Sequence, residues 1–294
     1  MKSAIVALTR GYPSNKDLYS DLIKRNLSIY ERIIKLASDE IDLVLFHEGN
    51  ISSEDQKYIS SNYPSKIIFK DVSKYFRIID IDLEGENKFN LGYRQMCRFN
   101  MFYIWDEVSN YDYIFRVDED VEILDCDPNL FSYMKKKGLK YMTGRFTKET
   151  HRLTNETLPY YLLSNSNLNV KKIYNHRNPY TNLYASSVKF WLNNDVQEIL
   201  KLISLTDDQI RYRWGDHTVQ GLILNHKKVK INLFPKLEYK HLSHELIIKN
   251  NFIRNIFINS KINPIYTNDG ILGRIKSRLR GKFKSTNQFD FENH

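Results

Sequence analysis

Cysteine is scarce: Cys97 and Cys126 are the whole complement of a 294-residue chain. Two thiols are too few for a disulfide scaffold or a structural zinc centre, and the sequence leaves open whether they pair. Long apolar runs are missing as well. No stretch approaches the ~20 residues needed to cross a bilayer. The apolar start, Met1-Lys2-Ser3-Ala4-Ile5-Val6-Ala7-Leu8, has the length of a strand and lacks a signal peptide's cleavage site. These absences lead to the expectation of a cytoplasmic protein, with contact at a membrane surface left open. Internal repeats are absent too.

Acidic residues are outnumbered, 35 Asp and Glu against 44 Lys and Arg, for a net charge of +9. Such an excess suits an anionic partner: nucleic acid, an acidic membrane or a phosphorylated substrate. Much of it is local, because Arg274, Lys276, Arg278, Arg280, Lys282 and Lys284 fall in one short stretch. The remainder is only mildly basic, which argues against a protein that coats nucleic acid. Aromatic residues are plentiful, with 20 Tyr and 16 Phe. Either they stack on sugar rings or bases, or they reflect a composition biased toward Lys, Ile, Asn and Tyr.

Along the chain, residues 4–8 form an unbroken apolar run ending at Thr9-Arg10-Gly11, the pattern of a buried parallel strand emptying into a loop. Residues 18–37 carry a helical apolar stripe, 41–46 read as a second strand, and Ser52-Ser53-Glu54-Asp55 reads as a helix cap. Residues 66–69 give a third strand, so the order β-α-β-α-β predicts a mostly parallel sheet flanked by helices, an α/β fold with right-handed crossovers. Residues 88–108 predict a helix with Arg94 and Arg98 one turn apart, and 113–117 a further strand. The polar stretch 146–182 predicts a long loop. Residues 188–204 and 216–226 read as helices and 229–234 as a strand. The catalytic domain is expected to span 1–250, with 251–294 as a basic C-terminal extension.

That fourth strand runs into Arg116-Val117-Asp118-Glu119-Asp120. Open α/β sheets bind ligands at the carboxyl ends of their strands. Two carboxylates two residues apart on a turn can converge on one cation, and Mg²⁺ or Mn²⁺ commonly takes one or two carboxylates plus substrate phosphates. Asp118 and Asp120 are therefore candidate metal ligands. A third ligand is sought in Glu238-Tyr239-Lys240-His241-Leu242-Ser243-His244, with His241 first and His244 second. Arg10, Arg94 and Arg98 are candidate diphosphate contacts because guanidinium groups bind phosphate bidentately. Arg94 and Arg98 equally suit a solvated helix face.

Several segments together resemble glycosyltransferase family 15, the fungal-type glycolipid and glycoprotein α-1,2-mannosyltransferases. Leu91-Gly92-Tyr93-Arg94-Gln95-Met96-Cys97-Arg98-Phe99-Asn100 is similar to that family's Y-R-x-M-C-R-W/F-N. Tyr113 to Val121, with Cys126-Asp127, resembles its Y-x-W-R-V-E-P-D-V…C-D. Arg213-Trp214-Gly215-Asp216 matches its R-W-G-D, Tyr239-Lys240-His241 resembles its Y-H-H, and Leu8-Thr9-Arg10 its opening strand end. The matches run in family order over roughly residues 4–245. The resemblance implies a GT-A (Rossmann-like) nucleotide-diphospho-sugar transferase fold, Mn²⁺ (or Mg²⁺), a GDP-mannose donor and retention of configuration. Carried onto this chain, it implies donor contacts at Thr9, Arg10, Tyr93, Arg94, Arg98 and Asp118, metal ligands at Asp118, Asp120 and His241, and catalytic roles for Asp216 and Tyr93.

This chain departs from the family at two places. Asp118-Glu119-Asp120 stands where the family has E-P-D. The family's C-H-F-W-S-N-F-E-I, whose Glu is a proposed nucleophile or base, corresponds to Leu183 to Trp191 here, with no carboxylate. Retention versus inversion thus stays open. Asp216 either orients or deprotonates an acceptor hydroxyl or caps a helix, and Trp214 either stacks on a sugar or fills core. In 271–284, Ile271, Ile275, Leu279 and Phe283 recur every four residues among the cations, the pattern of an interfacial helix on an anionic bilayer or of a disordered basic tail. The leading expectation is hexose transfer from a nucleotide sugar onto a glycan or glycolipid acceptor. The alternatives are a metal-dependent nucleotidyl- or phosphotransferase and a non-catalytic glycan- or nucleic-acid-binding module.

Overall fold

The computed structural model describes residues 1–12, 15–77, 80–85, 89–170 and 177–241, together with the backbone of strand 246–250. His244 and the basic stretch 271–284 lie outside the described residues. Four parallel strands make one half of the main sheet: β1 (Ser3–Leu8), β2 (Ile41–His47), β3 (Ile67–Asp71) and β4 (Tyr113–Val117). They pair in the order β3-β2-β1-β4. Beyond β4 the sheet continues through β9 (Leu183–Ser187), antiparallel to β4, then β6 (Tyr141–Thr143) and the two-residue β10 (Asn232–Leu233).

Residues alternate between the two faces of this sheet, and both faces are buried. Ala4, Val6, Val44, Phe46 and Ile114 face one core, with Trp105, Trp191 and Trp214. Ile5, Ala7, Leu43, Leu45, Phe115 and Val117 face the other. Burial on both sides is the reason the strands read as continuous apolar runs rather than alternating ones. Helix α1 (Tyr19–Arg32) sends Tyr19, Leu22 and Ile29 into the second core. Helix α2 (Ser53–Ser61) begins at a Ser52 cap whose hydroxyl oxygen accepts from the Asp55 amide at 3.1 Å.

The expected helix of residues 88–108 starts at Asn90, whose side chain caps the Tyr93 amide at 3.0 Å. It runs as α3 (Leu91–Arg98), passes through a π-helical turn (Phe99–Tyr103) and ends at Ile104–Glu107. In the first core Trp105 stacks on Trp191 with ring centroids 4.6 Å apart. The expected helix over 188–204 is broken: Val188–Trp191 is one short helix, and Asn193 caps a second, Asn194–Ser204, through the Asp195 amide. Of the strand expected over 229–234, only Asn232–Leu233 pairs.

Residues 146–182 are not one long loop. They contain β7 (Phe146–Thr147), β8 (Asn178–Pro179) and the 14-residue helix Arg152–Asn165. This helix buries Thr154, Leu158 and Leu162 and starts at a His151 cap. Its apolar stripe is narrow because several of its partners are polar. The Thr154 hydroxyl donates to the Arg213 carbonyl at 2.8 Å, and the Thr157 hydroxyl accepts from the Trp214 indole at 2.8 Å. A small second sheet of β5 (Val121–Cys126), β11 (Leu237–His241) and β12 (Leu246–Asn250) was likewise not expected from the sequence.

Candidate active site

The acidic turn joins β4 to β5, closed by a hydrogen bond from the Val121 amide to the Asp118 carbonyl. Antiparallel pairing of β5 with β11 then sets His241 opposite Val121. This register brings a residue from 120 positions downstream beside the turn. Ligand atoms of Asp118, Asp120 and His241 lie within 4.8 Å of one another. His241 Nε2 is 3.1 Å from Asp120 Oδ2. The other ring nitrogen, Nδ1, meets the Tyr180 hydroxyl at 3.2 Å. Two carboxylates and one imidazole suit a divalent cation that prefers oxygen but accepts nitrogen, as Mn²⁺ does. The donor set thus fits the expected ion.

Arg116, two residues before Asp118, is buried and points to the face carrying Met96, with Nη2 2.5 Å from Asp118 Oδ1. Its Nη1 donates to the Thr181 carbonyl. Burial works against its charge, yet Asp118 and Asp216 outweigh that and raise its pKa. Burial pushes the Asp118 carboxyl up to about 6, against the pull of Arg116, and the neighbouring Asp120 adds to the rise. A cation in the trio would relieve the crowding of negative charge at this turn.

Glu119, the middle acid, takes a different direction. It accepts from the Arg10 amide at 3.0 Å and from the Thr9 hydroxyl at 3.5 Å, and it pairs with the Arg10 guanidinium at 2.6 Å. It therefore ties the end of β1 to the acidic turn. Thr9 is buried, whereas the Arg10 side chain is 77% exposed at the rim. Behind the turn lies Arg25 of α1, 3% exposed, whose pKa burial lowers to about 10 against the attraction of Glu119, Asp118 and Asp120. Arg25, Arg145 and Tyr180 did not stand out in the sequence. The Arg145 guanidinium lies 4.1 Å above the Tyr180 ring, and no described carboxylate pairs with it.

Arg94 and Arg98 are not part of this cluster. Arg94 is 1% exposed, so it does not belong to a solvated face. Its guanidinium donates to four carbonyls: Phe89 at 2.6 Å, Glu84 at 2.7 Å, Ile210 at 2.8 Å and Arg211 at 2.5 Å. Those bonds occupy four of the five guanidinium N–H donors, so the structure places Arg94 as a clamp on backbone carbonyls. Arg98 is also buried and pairs with Asp207 at 2.9 Å.

Asp216 opens the helix Asp216–His226, but Gly215 is the capping residue. The Asp216 carboxylate is buried, and one oxygen accepts from the His217 amide at 2.9 Å. Its charge raises the pKa values of Asp118 and Tyr180 as well as those of Tyr93 and Cys97. The Tyr93 phenol is held well above its usual pKa, first by Cys97 and then by burial, while Arg213 pulls it down. Cys97 and Cys126 are both free and buried. Trp214, fully buried against Tyr161, is core. Among the described residues no helix is long and apolar enough to cross a membrane.

No family model matches the chain, and a search of curated proteins finds no match in sequence. Solved structures do match in fold. Core-mannan synthase A (CmsA/Ktr4) from Aspergillus fumigatus, in its Mn/GDP form, aligns with a TM-score of 0.67 at 16% identity, covering 82% of this chain and 74% of its own. The mannosyltransferase Ktr4p from S. cerevisiae aligns with a TM-score of 0.62 at 18% identity, covering 81% of this chain and 70% of its own. Its complex with GDP gives a TM-score of 0.61. The fold is that of the GT-A glycosyltransferases.

Proposed function

We propose that this chain is a metal-dependent glycosyltransferase that moves a hexose from a nucleoside-diphosphate sugar onto a glycan or glycolipid acceptor. The observation that carries this reading is the convergence of Asp118, Asp120 and His241 at the carboxyl end of β4, on the side of the sheet where α/β folds bind ligands. Similarity in fold to mannosyltransferases, one of them in a Mn/GDP form, supports mannose from GDP-mannose as the first donor to test. Membership of glycosyltransferase family 15 and retention of configuration belong to the same proposal.

The residues divide into two groups. Asp118, Asp120 and His241 hold the cation, and Arg116 and Tyr180 hold two of those ligands in place. When bound, the divalent ion supplies positive charge to the departing diphosphate. Arg10 at the rim and Arg145 above Tyr180 extend that positive charge beyond the ion and are the guanidinium groups assigned to the diphosphate. Asp216 orients the acceptor hydroxyl or takes its proton, with the Tyr93 phenol beside it. Separately, and from sequence alone, residues 271–284 are proposed to touch an anionic membrane surface. Equal liposome flotation with and without residues 270–294 would remove that idea.

A panel of nucleotide sugars incubated with Mn²⁺ tests the main reading. Slow hydrolysis and thermal stabilisation by GDP and GDP-mannose alone are the expected result. A preference for UDP sugars overturns the donor, and nucleotide transfer without sugar transfer overturns the reaction class.

A further inference from the structure

Glu149 lies between β7 and the helix Arg152–Asn165, in the stretch whose sequence carries no motif. It is 3% exposed, and every acceptor position on its carboxylate is filled. Oε1 accepts from the His151 amide at 2.8 Å and from Arg213 Nη1 at 3.4 Å. Oε2 accepts from the Thr218 hydroxyl at 2.8 Å and lies 3.1 Å from His217 Nε2. Three of the four donors thus come from one short segment, residues 213–218, and that segment contains Asp216.

The same segment is under backbone constraint. Arg213 has a positive φ of 56°, a conformation that costs an ordinary side chain on the order of 1 kcal/mol and persists where surroundings enforce it. Its guanidinium lies 3.9 Å over the Phe89 ring and 5.8 Å from the centre of the Tyr93 ring. Arg213 therefore links the Glu149 carboxylate to Tyr93. His217 and Thr218 link it to the first turn of the helix that Asp216 opens. A side-chain carbon at 215 would stand 3.1 Å from the His217 ring, which would have to give by a few tenths of an ångström.

Near neutral pH Glu149 itself does not serve as nucleophile or base, because its lone pairs are occupied. Hydrogen bonding from His217, with the His217 and Arg213 charges, overcomes the effect of burial and lowers its pKa to about 2. We propose that Glu149 is a positioning residue that fixes Asp216 and Tyr93, the groups assigned to the acceptor, through His217, Thr218 and Arg213. The proposal rests on the sugar-transfer reading for its catalytic consequence, though not for its geometry. Misplacing a reacting group by about 1 Å costs on the order of 10²-fold in rate, so the effect belongs in kcat. The metal and diphosphate side is built from other elements and is left intact.

The test uses Glu149→Gln and, as a milder variant that removes a single donor, Thr218→Val in the full chain. For Glu149→Gln the expected result is a loss of about 10²-fold in kcat, with donor KM and Mn²⁺–GDP affinity within about two-fold of wild type. Hydrogen exchange gives a second readout that needs no substrate. Amides of residues 214–218 exchange faster in both variants, while those of residues 116–121 do not. Unchanged protection at 214–218, or kcat and GDP affinity falling in parallel, overturns the proposal. If the wild type transfers no sugar, the functional reading fails, and the exchange experiment still decides whether Glu149 holds the segment.

Discussion

The Tyr180 hydroxyl meets Nδ1 of His241 at 3.2 Å, which leaves Nε2 turned toward Asp120. A ligand imidazole held at its second nitrogen presents the first in a fixed direction, and losing such a partner typically weakens metal binding about 10–100-fold. Tyr180→Phe keeps the ring under Arg145 and removes only the hydroxyl. Its Mn²⁺ affinity, measured by calorimetry or by the electron resonance of free Mn²⁺, is expected to fall about 10-fold. Unchanged affinity would mean that His241 is oriented by its strand alone.

Asp120 is partly exposed and lies 3.1 Å from His241 Nε2, and its replacement by alanine is expected to abolish the cation site. A ligand at 100 times its Kd adds about 2.7 kcal/mol of stability, which for a chain of this size corresponds to about 4–5 °C in Tm. Wild type in Mn²⁺ and GDP is expected to show a shift of that size, and Asp120→Ala none. A persisting shift in the variant would place the nucleotide elsewhere.

What the sequence made legible follows from where its residues sit. β1, β2 and β4 announce themselves because both faces are dry, and the acidic turn stands out against the apolar strand before it. β5 and β11 do not, because one face is wet: Glu122 pairs with Lys240 across the two strands, and Asp125 with Lys236 just before β11. Placing His241 beside Asp120 needs that long-range pairing, so the sequence offers His241 only as the first of two candidate ligands, supported by the family resemblance, without the strand register that brings it there. The helix Arg152–Asn165 was hidden because its contacts with Arg213 and Trp214 are made by threonine hydroxyls. Glu149, flanked by Lys148 and Thr150, carries no local signal at all.

Arg94 and Arg10 make opposite predictions although both are arginines near the donor motifs. Arg94→Met leaves carbonyls of Phe89, Glu84, Ile210 and Arg211 without their donor, at a cost of about 3 kcal/mol or more. Urea denaturation should record that loss, with GDP affinity within about two-fold of wild type. Arg10→Ala, at an exposed ion pair, should change stability by less than about 1 kcal/mol and weaken GDP binding. If Arg94→Met weakened GDP at unchanged stability, the diphosphate role would return to it.

The Glu149 carboxylate also makes stability depend on pH in a definite direction. Its folded pKa is lowered from the ordinary 4.5 to about 2, so the folded state holds the proton less tightly than the unfolded chain does. The stabilisation is therefore fully present above about pH 4.5 and is lost as pH falls toward 2. Its size is on the order of 3 kcal/mol at neutral pH. Glu149→Gln keeps the volume but carries no ionisable group, so it lacks this pH-dependent part. The stability difference between wild type and variant, from urea titrations at a series of pH values, should narrow as the pH falls from about 4.5 toward 2. A difference that stays constant down to pH 3 would show that the four donors do not favour the charged carboxylate. The loss in the variant would then come from shape alone.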